Sequence, residues 1–231
     1  EEFKLMQKQL KLFQDCKSPC MVFAEVTGSV QGDPKIPLSK RPKLSKDDWN
    51  KLIHSINEIS KMMMDENMPL AYHHHMGTVI ETEEDTRRLI ENTKDTVGLL
   101  VDTGHMLFAK GNSIKLVETF YERIIHIHCK DIRKDILKKS LNNDVTFRQA
   151  FLDGAFTVPG DGCIDYIPFL KALKEKKVHT DYFSIFAAKN FFKAEQKANL
   201  LISFVMKKKI GNAIKRNKIR RKLKAIVQKL L

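Results

Sequence analysis

Val97-Gly98-Leu99-Leu100-Val101-Asp102-Thr103-Gly104-His105 is a continuous apolar run that ends abruptly in an acid and a histidine. Five consecutive apolar positions have the length of a strand and suit one covered on both faces, as in a parallel sheet flanked by helices. The pattern recurs. Pro69-Leu70-Ala71 runs into Tyr72-His73-His74-His75-Met76-Gly77-Thr78, and Ile124-Ile125-His126-Ile127-His128 runs into Cys129-Lys130-Asp131. Residues 21–26 form another apolar, partly β-branched segment, followed by the polar loop Thr27-Gly28-Ser29-Val30-Gln31-Gly32-Asp33-Pro34, and residues 181–187 give a fifth strand candidate.

Helical patterns separate these strands. Residues 1–14 are amphipathic. Ser45 with Asp48 three positions on marks a helix start, after which Trp49, Leu52, Ile53, Ile56, Ile59, Met62 and Met63 recur at helical spacing, with the methionines in core positions. Further helices are predicted over 82–92, 113–121, 145–152 and 167–176. Strands alternating with helices of this length define right-handed βαβ units, hence an α/β fold with a parallel sheet. In such a sheet all C-terminal strand ends open on one face. His73, His75, Asp102, His105, His126 and His128 therefore gather there by topology, and strand alternation puts His73 with His75, and His126 with His128, on common faces. Histidine binds divalent metals and moves protons near neutral pH, so metal or acid/base chemistry is expected at this mouth. Read alone, the His73-His74-His75 triplet fits a polar strand end equally well.

The 231 residues suffice for one large or two small domains. No stretch of eighteen apolar residues occurs, and the first residues lack the pattern of a secretory leader, which leads to the expectation of a cytoplasmic protein. Four cysteines, with Cys16 and Cys20 as the close pair, suggest free thiols rather than a disulfide framework or a zinc site. The net charge is +13, yet eleven Lys or Arg and no acid lie from Met206 onward, which leaves 30 basic against 28 acidic residues before it. That basic run, interleaved with Ile210, Ile214, Ile219, Leu223, Ile226 and Leu230, reads as an amphipathic helix. Such a helix is either a solvated charged element or a binder of anionic membrane or nucleic acid. The division expected is a barrel-like domain over 1–198 and a basic helical tail over 199–231.

Several motifs occur together and in one order: Ala24-Glu25-Val26-Thr27-Gly28-Ser29 with Gln31-Gly32-Asp33, Pro37-Leu38-Ser39 with Arg41-Pro42, the segment from Leu70 to Thr78, Asp102-Thr103-Gly104-His105, His126-Ile127-His128-Cys129-Lys130-Asp131-Ile132-Arg133, and Phe156-Thr157-Val158-Pro159-Gly160-Asp161-Gly162. From Ala24 to about Leu173 the chain thereby resembles the inosose dehydratases, within the xylose-isomerase-like barrel superfamily. The resemblance implies a (β/α) TIM-barrel-like fold and dehydration of 2-keto-myo-inositol (scyllo-inosose) to a trihydroxycyclohexane-dione in inositol catabolism. It also implies a divalent ion such as manganese or cobalt. Carried over by position, His73, Asp102 and His128 look like metal ligands, with His73 where relatives place a glutamate. His73, His75, His105 and Lys130 look catalytic, and Glu25, His105 and Arg133 look like contacts to a cyclitol ketone.

Two departures accompany the resemblance. The family's last strand ends in Val-Glu-Ala-Glu-Gln-Asp, whereas the aligned stretch is Ile185-Phe186-Ala187-Ala188-Lys189-Asn190, so the acids of an expected further ligand are replaced and a lysine is added. Weakened ion binding, and with it a catalytically impaired relative, is the corresponding expectation. About five of the eight βα units of such a barrel are recognisable. Open parallel edges invite association, so the chain is read as a fragment, as one that pairs with another chain or forms a homo-oligomer, or as a degenerate barrel.

Overall fold

The computed structural model describes residues 2–175. The strand candidate at 181–187, the Phe186 and Ala188 replacements and the basic tail lie outside the described residues. Four apolar segments pair in parallel, in the order β1 (Met21–Phe23), β2 (Leu70–His73), β3 (Val97–Asp102) and β4 (Ile124–His128). The register sets Tyr72 beside Leu99, His73 beside Leu100 and Asp102 beside His128. Residues 72–75, 102–105 and 128–130 are thus delivered to one end of the sheet.

Eight helices accompany the strands among the described residues: α1 (Glu2–Asp15), α2 (Lys46–Asp65), α3 (Glu83–Asn92), α4 (Thr103–Phe108), α5 (Ser113–Phe120), α6 (Lys134–Asn142), α7 (Phe147–Leu152) and α8 (Tyr166–Glu175). Their starts follow from local chemistry. Ser45 accepts the Asp48 amide at the head of α2, and Thr82 and Asp85 form a reciprocal capping box on α3. The expected apolar face of α2 is observed, with Trp49, Leu52, Ile56 and Met63 buried against Leu70, Tyr72 and Val97. A second core joins Leu99 and Val101 to Leu116 and Val117 of α5 and to Phe169, Ala172 and Leu173 of α8. Among the described residues no helix is long and apolar enough to cross a membrane.

Several boundaries differ from the sequence expectation. The first strand stops at Phe23, not at residue 26, because Glu25 turns back to accept the Thr27 amide at 2.7 Å and so takes the chain out of the ladder. Asp102-Thr103-Gly104-His105, where no helix is predicted, opens α4: the Asp102 carboxylate accepts the amides of Gly104 and His105 and caps the helix. Asp131 does not end β4. It opens a two-stranded antiparallel ribbon of β5 (Asp131–Ile132) and β6 (Phe156–Thr157), and α6 stands where no helix is predicted.

Gly98 shows how closely the inner strands approach. A methyl group there would lie 2.4 Å from a terminal carbon of Ile125 and 2.9 Å from the Leu70 carbonyl oxygen. The side-chain neighbour can give way; the backbone oxygen cannot. Gly98→Ala is expected to lower the unfolding free energy by about 2 kcal/mol in urea titrations. Adding Ile125→Ala should return little of that loss, since the clash with Leu70 remains; full recovery would locate the constraint in Ile125 instead.

Candidate metal and acid/base site

Asp102 has no exposed surface, at the junction of β3 and α4. One carboxylate oxygen, Oδ1, accepts the Gly104 and His105 amides at 3.0 Å each. The other, Oδ2, accepts from Lys130 Nζ at 2.6 Å, His128 Nδ1 at 3.2 Å and His73 Nε2 at 3.3 Å. Burial alone would raise this carboxyl, but the adjacent His105 ring, the hydrogen bonds from His128 and His73 and the Lys130 ammonium hold it well below the usual carboxylate range. It is an anion, and one buried anion needs a cation.

The surrounding histidines do not supply one. Burial lowers His73, despite the opposing pull of Asp102, and lowers His105 well below the ordinary histidine value. Desolvation likewise takes His74 to about 3 and both His75 and His126 to about 4. At neutral pH these rings are uncharged, so the contacts of His73 and His105 with Asp102 are hydrogen bonds or dipolar contacts rather than ion pairs. Lys130 is the counter-cation.

Neutral rings have tautomers, and the neighbours fix them. A carboxylate only accepts, so the nitrogens that face Asp102, His73 Nε2 and His128 Nδ1, each carry a hydrogen. His75 Nδ1 donates to the Met76 carbonyl at 2.8 Å, which leaves Nε2 with a lone pair. His105 Nδ1 accepts the Met76 amide at 3.4 Å, which puts its proton on Nε2, 4.0 Å from Asp102 Oδ2. The two rings lie against each other with centroids 3.8 Å apart and planes inclined at 44°. One backbone unit, Met76, thus makes His75 a proton acceptor and His105 a proton donor.

The donor set suits a divalent ion. His73, Asp102 and His128 each offer an atom, all within 4.8 Å of one another, and two imidazoles with a carboxylate are borderline ligands suited to zinc or similar metals. To ligate through the atoms that now face Asp102, each ring would carry its proton on the opposite nitrogen. This is a cost of tautomer, not of fold, so the residues present fit such an ion.

Other residues expected at the site have different neighbours. His126 pairs edge-on with His128 at 5.2 Å rather than with Asp102. Glu25 bonds its own loop, with its amide against the Tyr72 hydroxyl. Arg133 donates to the Gly154 carbonyl, the Thr157 hydroxyl and the Asp161 carboxylate, which ties β6 and the following loop to the start of α6. Asp131, buried, accepts the amides of Gly160, Gly162 and Ile164 and organises the same loop. The Pro159-Gly160-Asp161-Gly162 motif is thereby accounted for as architecture.

Four further side chains outside the expected site residues support the site: Phe147, Phe156, Tyr166 and Arg41. Phe147, first residue of α7, lies 5.3 Å from the His75 ring and 5.7 Å from His105, and Phe156 lies 5.1 Å from His105. These rings roof the histidine pair. Tyr166 of α8 shares a hydrogen bond with Thr103 at 2.7 Å, and both hydroxyls reach the Lys130 carbonyl. That clamp fixes the strand end bearing His128 and Lys130. Arg41 performs the same service for the histidine loop: it bonds the Thr78 and Val79 carbonyls and pairs with Glu81 and Asp85, while Glu81 accepts the Gly77 amide.

Comparison with known proteins follows the same lines. Residues 1–194 match the family model described as xylose isomerase-like TIM barrel, and residues 169–231 match one described as Ribonuclease P. The rhizopine catabolism protein MocC of Rhizobium meliloti is 37% identical over 172 residues, covering 74% of this chain and 53% of that protein. An inosose dehydratase of Clostridium tetani is 37% identical over 177 residues, covering 76% of this chain and 59% of its own. The chain spans little more than half the length of these relatives. Among solved structures, the IOLI protein with a bound zinc atom superposes with a TM-score of 0.51 at 20% identity, over 75% of this chain and 57% of its own, a likeness of fold alone.

The depressed histidines set a pH dependence. Unfolded, they take up protons near pH 6.5; folded, His74 does so only near 3 and His75 and His126 near 4. Between those values the unfolded state binds more protons, so stability falls as pH falls. Urea midpoints of chelator-treated protein are expected to be level above about pH 7 and to drop steadily from about pH 6.5 to 4. His74→Met should make that slope shallower; an unchanged slope would show that His74 is protonated in the folded state.

Proposed function

Since the chain belongs to the xylose isomerase-like TIM barrel family, we propose that its strand-end cluster serves the dehydration of a cyclitol ketone, 2-keto-myo-inositol, to the corresponding trihydroxycyclohexane-dione, as a carbon–oxygen lyase. The observation that carries the reading is the pairing of a buried Asp102 carboxylate, ringed by His73 and His128, with a His75 whose Nε2 is left unprotonated beside it. The identity to the Clostridium tetani inosose dehydratase supports the choice of substrate.

His73, Asp102 and His128 would hold a divalent ion, manganese or cobalt in this reading, which when bound polarises the ketone oxygen as a Lewis acid. His75 Nε2 accepts the proton from the carbon next to the carbonyl; the C–H electron pair moves toward that carbonyl. The β-hydroxyl then departs, its C–O bond breaking as the new C=C forms, and it leaves as water with a proton from a neighbouring donor. His105, protonated on Nε2, and Lys130 are the donors at hand. The enone so formed relaxes to the dione. Phe147 and Phe156 keep bulk water from the histidine pair, which keeps His75 neutral and able to accept.

Turnover of 2-keto-myo-inositol with added manganese, followed by dione absorbance, tests this. His75→Gln is expected to lower kcat by about 10²-fold or more with a smaller effect on KM. Phe186→Glu with Ala188→Glu, which restores the acids of the family's last strand, should raise turnover at limiting ion. Complete inactivity of both the wild type and the restored variant would favour a relative that keeps the fold without the reaction.

A second reading is favoured by the Ribonuclease P match over residues 169–231, which takes in all eleven basic residues beyond Met206. It gives the tail an RNA partner in place of a membrane surface. Retention of a structured RNA on filters should fall steeply with salt and be lost on deletion of residues 206–231. Equal retention by the deleted chain would exclude it.

A further inference from the structure

Asp102 Oδ2 is the one atom on which Lys130, His128 and His73 all converge, and it is also the oxygen that faces the other two candidate ligands. Oδ1 is already committed to the amides that begin α4. An arriving ion must therefore take Oδ2. The two imidazoles can stay, because each has a second nitrogen to carry its proton. An ammonium cannot: it has three donors, no lone pair and a positive charge.

Lys130 is built to leave. Its carbonyl is held by Thr103 and Tyr166, and its β-carbon lies against α4, where a methyl group on Gly104 would come within 2.7 Å of it. The root of the side chain is thus fixed, while the side chain as a whole keeps 37% of its surface open to solvent. We infer that Lys130 is the resident cation of the ion-free site, and that a divalent ion enters by exchange: the ion takes Asp102 Oδ2 and the ammonium swings out toward the mouth. Such exchange keeps the buried carboxylate neutralised in both states. It also means that ion affinity is set by competition with a tethered ammonium as well as by the number of ligands. The inference rests on the reading of His73, Asp102 and His128 as the ion site.

Equilibrium dialysis of the full-length chain against manganese chloride, with bound metal measured directly, tests it without recourse to activity. Lys130→Met should bind manganese about tenfold or more tightly than the wild type, because the competing charge is gone. Lys130→Arg should stay near the wild type, and Asp102→Asn in the Lys130→Met background should abolish uptake. Manganese should also raise the melting temperature more in Lys130→Met than in the wild type. Lys130→Gln removes the charge but keeps a polar side chain and should tighten binding too, which decides the matter if Lys130→Met does not fold. Uptake by Lys130→Met alone, with none by the wild type, supports exchange. Equal or weaker binding in Lys130→Met and Lys130→Gln overturns exchange and leaves the ion site standing. No uptake by any form overturns exchange and the ion-dependent part of the proposed function together.

Discussion

The buried carboxylate of Asp102 is the constraint on which the site depends. Its one oxygen caps α4 and so sets the angle at which the chain leaves β3, while the other gathers side chains from β2, from β4 and from the segment after β4. An unpaired anion at this depth would be costly, and the neutral rings of His73 and His105 offer hydrogen bonds or dipolar contacts but no charge. A cation is therefore obligatory at this point. The ammonium of Lys130 fills that requirement in the ion-free protein.

Keeping the histidines neutral gives them separate identities. Protonated, His73, His75 and His105 would be equivalent donors repelling one another. Neutral, each is assigned by what lies beside it: a carboxylate for His73, a carbonyl for His75, an amide for His105. The Phe147 and Phe156 rings and the core behind β2 sustain that neutrality by desolvation. Packing on α7 and β6 thus reaches the chemistry of His75 without touching any charged group.

Much of this was legible in the sequence because parallel topology does the assembling. The apolar runs ending at His73, Asp102 and His128 are visible without knowing any contact, and the rule that strand ends share a face brings them together. What sequence could not resolve were bonds between a side chain and the backbone. Nothing in Asp102-Thr103-Gly104-His105 distinguishes a turn from a capped helix, since Asp serves both. Nor does Arg133, a guanidinium beside the histidines in sequence, reveal that it bonds Gly154, Thr157 and Asp161. The carboxylate of Glu25 likewise closes a local turn at the end of β1, a bond its position in the sequence does not announce.

The overlap of the two family matches, over residues 169–194, bears on how the chain divides. The part of that overlap within α8 is committed to the barrel-like core: Phe169, Ala172 and Leu173 pack with Leu99, Leu116 and Ile124, one turn after Tyr166 clamps the Lys130 carbonyl. A helix whose apolar face is buried in this way cannot also present that face to RNA. An RNA contact of the kind proposed would therefore fall to residues beyond α8, where the basic run lies. The same overlap places Phe186 and Ala188 inside the stretch shared by both matches.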